Sequence, residues 1–399
     1  MIQSYGAGSG RRRARVWRPA DASGPDGRAR SIGRSGGAGA GGKNLSGAQV
    51  YESPGSHPRS PTFPAAPMRL TAPDAKIYVA GHRGMVGRAI WRRLEDAGYT
   101  NLLGRSSDAL DLRDPQATRQ FFEAERPDVV VLAAARVGGI LANDRYPADF
   151  IGDNLAIEQS VIRAAHETGV DRLLFLGSTC IYPKHADQPM AEDSLLTGPL
   201  EPTNQWYAVA KIAGHKLCEA YHRQYGDDML TLMPTNLYGP GDDFDLETSH
   251  VLPALLRKAH EATGAAPDGG DAPVTLWGTG TPKREFLYVD DLADAVRFVL
   301  EQPEAQIRDV APEGMLNVGV GEDLSINALM ALIQDVVGHD GPIEHDESKP
   351  DGTPRKLVDT SRLDALGWTA QTALRDGIQK TYDWYRAHED EWTDAPIDA

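Results

Sequence analysis

The stretch KIYVAGHRGMVGRAIWRRLEDAG, residues 76–98, narrows the folds open to this chain more than any other segment. A short β-rich run leads into glycines at 81, 84 and 87, and an amphipathic helical period follows, closed by Gly98. A strand that turns this tightly into a helix brings backbone amides and the positive helix end to one point. That arrangement suits a pyrophosphate. The glycine spacing alone is weak; the strand–turn–helix setting makes Gly81, Gly84 and Gly87 a candidate nucleotide-binding turn.

The same alternation continues downstream. NLLGR reads as a second short strand, DPQATRQFFEAE as a helix with Pro115 in its first turn, and DVVVLAAA as a buried strand. DNLAIEQSVIRAAHETG reads as a helix, DRLLFLGS as a strand and YAVAKIAGHKLCEAYHRQYG as a helix, and MLTLMPTNLYGPGD runs from strand into turn. Near-continuous apolar strands separated by helices predict an α/β fold with a doubly wound parallel sheet. Three regions follow. Residues 1–70 are basic and rich in Gly, Pro and Ser, and are expected to be disordered. Residues 71–245 hold the nucleotide-binding domain. Residues 246–388, with loops around GAAPDGGDAP, form mainly a smaller α/β substrate domain interleaved with the first. Met68 just precedes the first strand and would serve as an ordinary start.

The net charge of −16 conceals an asymmetry. Residues 1–75 hold 11 Lys and Arg against 4 Asp and Glu; the remainder holds 30 against 53. So acidic a body repels nucleic acid and anionic membranes, so neither is an expected partner. A phosphate-bearing ligand then needs a local basic or amide-lined pocket. The longest apolar run, Val129 to Ala135, is too short to span a membrane, and no apolar stretch follows the arginines at 11–13. Two cysteines make no disulfide framework, which points to a reducing, cytoplasmic setting. The acid excess suggests a salt-rich cytoplasm.

Cofactor choice is read at the end of the second strand. A carboxylate there would suit a ribose 2′-hydroxyl, but this chain has Arg105, with Arg83 inside the glycine turn. Two guanidiniums fit a 2′-phosphate, so NADP(H) is the expected cofactor. Further on, Tyr207-Ala-Val-Ala-Lys211 puts phenol and ammonium on one helical face, where the ammonium stabilises a phenolate. Ser178, at a strand end upstream, adds a hydroxyl able to hold a carbonyl oxygen.

Glycine turn, strand-end serine and Tyr-x-x-x-Lys, in this order, resemble the short-chain dehydrogenase/reductase superfamily in its extended, nucleotide-sugar-modifying branch. The resemblance runs from Lys76 to about Trp384. The blocks GHRGMVG, LAAARVGGILAN, YPADF, LGSTCIYPK, EPTNQWYAVAKIAGHKLCE, MPTNLYGP, SHVLPALLRK, WGTGTPKREFLYVDD and KPDGTPRKL resemble the GDP-L-fucose synthases, which are GDP-4-keto-6-deoxy-D-mannose 3,5-epimerase-4-reductases. The resemblance implies a Rossmann domain, NADPH, a GDP-linked 4-keto-6-deoxy sugar and three chemical steps in one pocket.

A ketone at C4 acidifies the hydrogens on C3 and C5, so each centre can invert through an enolate. That needs one group to remove a proton and another to return it. Cys180, two residues past Ser178, and His250, in TSHVLP, are the candidates, with ordinary pKa values of about 8.5 and 6.5. The resemblance assigns the pair to both epimerisations without deciding which is base at each carbon. It also implies cofactor contacts at Met85, Val86, Asp111, Lys211, Pro234, Asn236, Leu237 and His250, and substrate contacts at Lys258, Trp277, Arg284 and Asp351. Asn154 is expected to support the backbone beneath the site, and Cys218 to be a buried small residue. No metal is expected, and the family's habit implies a homodimer through the Tyr-bearing helix and the helix near 153–168. The rival is another NAD(P)-dependent nucleotide-sugar epimerase or dehydratase. A dehydratase would want a carboxylic pair beside the serine, where this chain has Thr179-Cys180-Ile181. A 4-epimerase would keep NAD and lack the thiol.

Overall fold

A computed structural model of the chain describes residues 72–246, 248–349 and 351–391. The expected disorder of residues 1–70 lies outside the described residues. The first part of the chain contains β1 (Ile77–Ala80), α1 (Met85–Asp96), β2 (Leu102–Leu103), α2 (Pro115–Glu125), β3 (Val129–Leu132), α3 (Ile140–Arg145) and α4 (Pro147–Thr168). It continues through β4 (Arg172–Leu176), α5 (Gln205–Tyr225), β5 (Met229–Pro234), β6 (Asn236–Tyr238) and α6 (Val251–Ala262). Next come β7 (Val274–Trp277), β8 (Lys283–Arg284), β9 (Phe286–Tyr288), α7 (Val289–Glu301), α8 (Glu304–Val310) and β10 (Met315–Val318). The chain closes with β11 (Leu324–Ser325), α9 (Ile326–Val337), β12 (Ile343–Asp346), β13 (Arg355–Lys356), α10 (Ser361–Leu366) and α11 (Leu374–Ala387).

Six parallel strands form the main sheet, in the order β10-β5-β4-β3-β1-β2. Strand alternation builds both of its faces. Ile77, Val79, Val129 and Val131 pack on one side with Ile90 and Leu94 of α1 and Leu292 and Val296 of α7. Tyr78, Ala80, Val130 and Leu132 pack on the other with Phe122 of α2, Ile162 of α4 and Cys218 of α5. Arg172, fully buried, ion-pairs with Asp228 and donates to the carbonyls of Val299, Leu300 and Gln302, closing the end of α7.

The chain leaves β1 for β2 on one side and returns to β3 on the other. The carboxyl ends of β1 and β3 therefore flank the point where strand order reverses, the place for a ligand in an open α/β sheet. A separate core gathers α6, α9, α11 and β7 around Leu256, Leu276, Met330 and Ile378. Small strand pairs, β6 with β9, β7 with β12, and β8 with β11 and β13, tie this later segment together. Although they follow residue 246, α7 and β10 return to the main sheet.

The helix before β4 and the serine-bearing loop differ from the sequence expectation. The helix read from Asp153 begins at Pro147, because Pro at a first helical position loses no hydrogen bond. The serine-bearing loop contains a 3₁₀ turn, Thr179–Ile181, with Ser178 as its cap.

Candidate active site

The glycine turn is built by close approach. Gly81 has φ of +86°, and a Cβ there would lie 2.8 Å from the Ala134 nitrogen at the end of β3. A Cβ on Gly87 would lie 2.0 Å from the Gly81 carbonyl oxygen. Gly84 caps α1 without a side chain, and Met85 and Val86 open the helix. The result is a bare backbone cradle at a helix N-terminus, which fits a dinucleotide pyrophosphate. Desolvation lowers the pKa of His82, and Arg83 and Arg105 lower it further, so the two guanidiniums share one neighbourhood. Arg105 is held by Glu125 at 2.7 Å and lies over the Phe121 ring, whereas Arg83 is exposed and has no ion pair among the described residues. Asp111 is exposed and paired with Arg113, whose hydrogen bonds hold its carboxyl below the ordinary range. At the carboxyl end of β5, Pro234 closes the strand. Asn236 donates to the Glu285 carbonyl, and Leu237 packs against the core around α1 and α7.

The candidate chemistry lies at the end of β4. Ser178 Oγ accepts from the Cys180 amide, and Cys180 is 8% exposed, packed in a cluster with Ile181, Ala208, Ile212 and Tyr207. Burial pushes the thiol pKa up, while the Ser178 hydroxyl, Lys356 and Lys211 pull it down. On α5, Lys211 is fully enclosed. Its Nζ donates to the Leu176 carbonyl at 3.1 Å, lies 4.6 Å from the Phe175 ring centroid and 5.7 Å from that of Tyr207. Burial lowers the Lys211 pKa, and nearby Glu158 and Cys180 oppose that shift. Burial, with Cys180 and Glu158, raises the Tyr207 pKa well above its ordinary value.

His250 caps α6, and its loop is fastened to the start of α3: the Gly139 amide donates to the Thr248 carbonyl at 2.9 Å. Asn154 secures the same β3 loop, accepting from the Arg136 amide and donating to the Arg136 and Phe150 carbonyls. Phe150 then meets Tyr207 edge-on. Desolvation lowers the His250 pKa, Asp243 opposes it, and Lys356 lowers it further. Lys356 therefore neighbours both Cys180 and His250. His250, Tyr207, Arg284 and Lys356 are each open to water on one side yet desolvated enough to shift. Groups with both properties line a concave cleft.

The four substrate candidates adjoin one another. Lys258 donates to the Thr275 carbonyl and sits 5.4 Å from the Trp277 ring centroid. Trp277 is 46% exposed at the end of β7. Asp351 accepts from the Thr279 amide and hydroxyl, and its charge reaches Arg284 on β8. Burial lowers the pKa of both Lys258 and Arg284, which favours an incoming anion as counter-charge. Three residues of this neighbourhood escaped the sequence reading: Glu158, Lys356 and Gly139. Lys356 lies inside the block KPDGTPRKL, and Glu158 follows Asn154 by one helical turn. Cys218 is a buried free thiol in the core between sheet and helices. Among the described residues no cluster of His, Cys, Asp and Glu could hold a metal, and no helix is long and apolar enough to cross a membrane.

The profile of the NAD dependent epimerase/dehydratase family matches residues 77–319. The chain belongs to this family. Within the NAD dependent epimerase/dehydratase family it is similar to GDP-L-fucose synthase 1 of Arabidopsis thaliana, at 54% identity over 78% of this chain and 93% of the relative. It is equally similar to GDP-L-fucose synthase of Escherichia coli strain K12, at 54% identity over 79% of this chain and 98% of the relative. Among solved family structures, a GDP-mannoheptose C4 reductase from Campylobacter jejuni with NADP bound superposes with a TM-score of 0.71 at 36% identity, covering 79% of this chain and 99% of that one.

Proposed function

We propose that the protein is a bifunctional NADPH-dependent 3,5-epimerase and 4-reductase that converts GDP-4-keto-6-deoxy-D-mannose to GDP-L-fucose. The observation that carries this reading is the shared neighbourhood of a thiol and an imidazole, both beside Lys356, at the cleft containing Tyr207 and Lys211. A reductase alone needs the phenol and the lysine; two stereocentre inversions need a second pair of proton carriers. The opposite pKa shifts equip that pair. Burial raises the Cys180 pKa and lowers that of His250, favouring the neutral form of each, and a neutral thiol and imidazole can both carry protons.

In this reading the GDP diphosphate lies against Arg284 and Lys258, with Trp277 beside the ligand and Asp351 holding the Thr279 turn that faces it. Ser178 and Tyr207 hydrogen-bond the C4 oxygen, stabilising the enolate during each inversion and the alkoxide during reduction. Lys211 keeps the phenol in reach of its anion. NADP(H) would be held by the cradle of Gly81, Gly84 and Gly87, by Arg83 and Arg105 at the 2′-phosphate, and by the segment Pro234, Asn236 and Leu237. When bound, the cofactor supplies the hydride that C4 accepts. Asp111 faces Arg113 and would meet the adenine side only with its carboxylate already committed.

The deciding experiment supplies GDP-4-keto-6-deoxy-D-mannose and NADPH in heavy water and analyses the product by mass spectrometry. Deuterium at C3 and C5 with NADPH consumed is expected. NADPH oxidation without deuterium would leave a C4 reductase, the activity named for the Campylobacter relative. No oxidation would end the proposal. We also propose a homodimer through α4 and α5, supported by the exposed Trp206, Val209 and Tyr225 of α5. Light scattering at monomer mass would overturn it.

A further inference from the structure

Glu158 is a buried acid to which the reading above gives no task. It lies on α4, and its side chain is 1% exposed, against 2% for the Lys211 side chain. Lys211 Nζ stands 3.4 Å from Glu158 Oε1. Apart from Lys211, no hydrogen-bond donor among the described residues reaches either carboxyl oxygen. Space for the carboxyl is made by a glycine on the facing helix: a Cβ on Gly214 would lie 2.8 Å from Oε2 and 2.6 Å from Phe175 Cζ. A carboxyl in such a place destabilises the fold relative to an apolar residue of similar size. Its presence therefore calls for an electrostatic reason.

The groups around it supply one. From α5 it is faced by Lys211, Tyr207 and Cys218, while β4 contributes the apolar Phe175. Cys180, on the 3₁₀ turn, also acts on Lys211. Lys211 is thus the single cation in the group. Alone, its ammonium would be desolvated with one carbonyl, Leu176 O, as its partner. Burial already lowers the Lys211 pKa and raises that of Glu158 to about 7, so each depends on the other for its charge.

We propose that Glu158 is a positioning residue for the reduction step: its carboxylate keeps Lys211 charged and held beneath Tyr207. The inference rests on the reading that Tyr207 protonates the C4 oxygen. In that step the phenol O–H breaks, the proton joins the oxygen as hydride joins C4, and the phenolate left behind is stabilised by the Lys211 ammonium. Without Glu158, Lys211 loses its proton at a lower pH, and the phenolate loses that support.

The test is the pH profile of kcat for NADPH oxidation with GDP-4-keto-6-deoxy-D-mannose, in the wild type and in Glu158→Gln, which keeps the shape and removes the charge. The active form carries a protonated Lys211, so activity is lost as pH rises through the Lys211 pKa. Removing an opposite charge at this range lowers that pKa by about 1–3 units. The alkaline limb should therefore move to lower pH by about one unit or more. A role in packing alone would lower kcat evenly across pH, and coincident alkaline limbs would overturn the inference. If Glu158→Gln does not fold, Glu158→Asp takes its place: a carboxylate drawn back by one methylene should shift the limb less but in the same direction, and an unmoved limb again overturns the idea. A wild type that oxidises no NADPH with this sugar refutes the underlying reading instead, and that result is visible before any variant is made.

Discussion

At the scale of single residues, the cleft separates two kinds of proton traffic. In the proposed reaction Cys180 and His250 serve carbon, and Tyr207 with Lys211 serves oxygen. Cys180→Ser should therefore lose C3 and C5 deuterium exchange by about 10²–10⁴-fold, because a hydroxyl is far too weak an acid and base for that exchange. Tyr207→Phe should lose NADPH oxidation by a similar factor and keep more of the exchange. Product mass spectrometry and absorbance at the NADPH band read the two separately, and equal losses in both variants would refute the division. Ser178, Tyr207 and Lys211 were legible in the sequence because the Tyr-Lys spacing fixes one helical face and the serine ends an apolar strand. Glu158 was not. A glutamate within a helical period reads as a solvated charge, and its burial depends on Gly214 of another helix and on Phe175 of a strand. That is three-dimensional information with no local pattern.

Among elements, the strand–turn–helix of β1 and α1 was the most readable, since its glycines answer local contacts at Gly81 and Gly87. The later segment was the least. Its strands β7 to β13 span two to four residues, too few for a period of two to emerge. The placement of the His250 loop was equally hidden, because its tie is a backbone hydrogen bond between two loops remote in sequence. Gly139 makes that link. A Cβ there would lie 2.9 Å from both the Thr248 and the Ser249 carbonyl oxygens, so a side chain must push the His250 loop away from the start of α3. Backbone atoms on both sides leave little room to yield. Gly139→Ala should thus reduce C3/C5 exchange by about 10²-fold, the scale of a misplacement of roughly 1 Å. Exchange at the wild-type rate in Gly139→Ala would show that the loop contact does not position His250.

For the whole molecule, charge is the property that sequence states outright and geometry then weighs. Residues 76–399 carry 53 acidic against 30 basic side chains. Many of the arginines are already spent in exposed ion pairs, such as Arg119 with Glu123, Arg163 with Glu167 and Arg375 with Asp335. Salt acts on these two populations in opposite directions. It weakens exposed pairs, each of which contributes about 0–1 kcal/mol. It also relieves the repulsion among the excess carboxylates, which acts over the whole surface and destabilises the compact state. The screening length falls from about 10 Å at 0.1 M to about 3 Å at 1 M, so long-range repulsion is the first to go, whereas contacts at hydrogen-bond distance are screened less. Repulsion relief should win, and Tm should rise by about 5 °C or more as KCl goes from about 0.1 to 2 M. Thermal unfolding followed by circular dichroism measures this directly. A Tm that stays flat or falls would mean that the ion pairs outweigh the repulsion, and the acidic surface would then need an explanation other than a salt-rich setting.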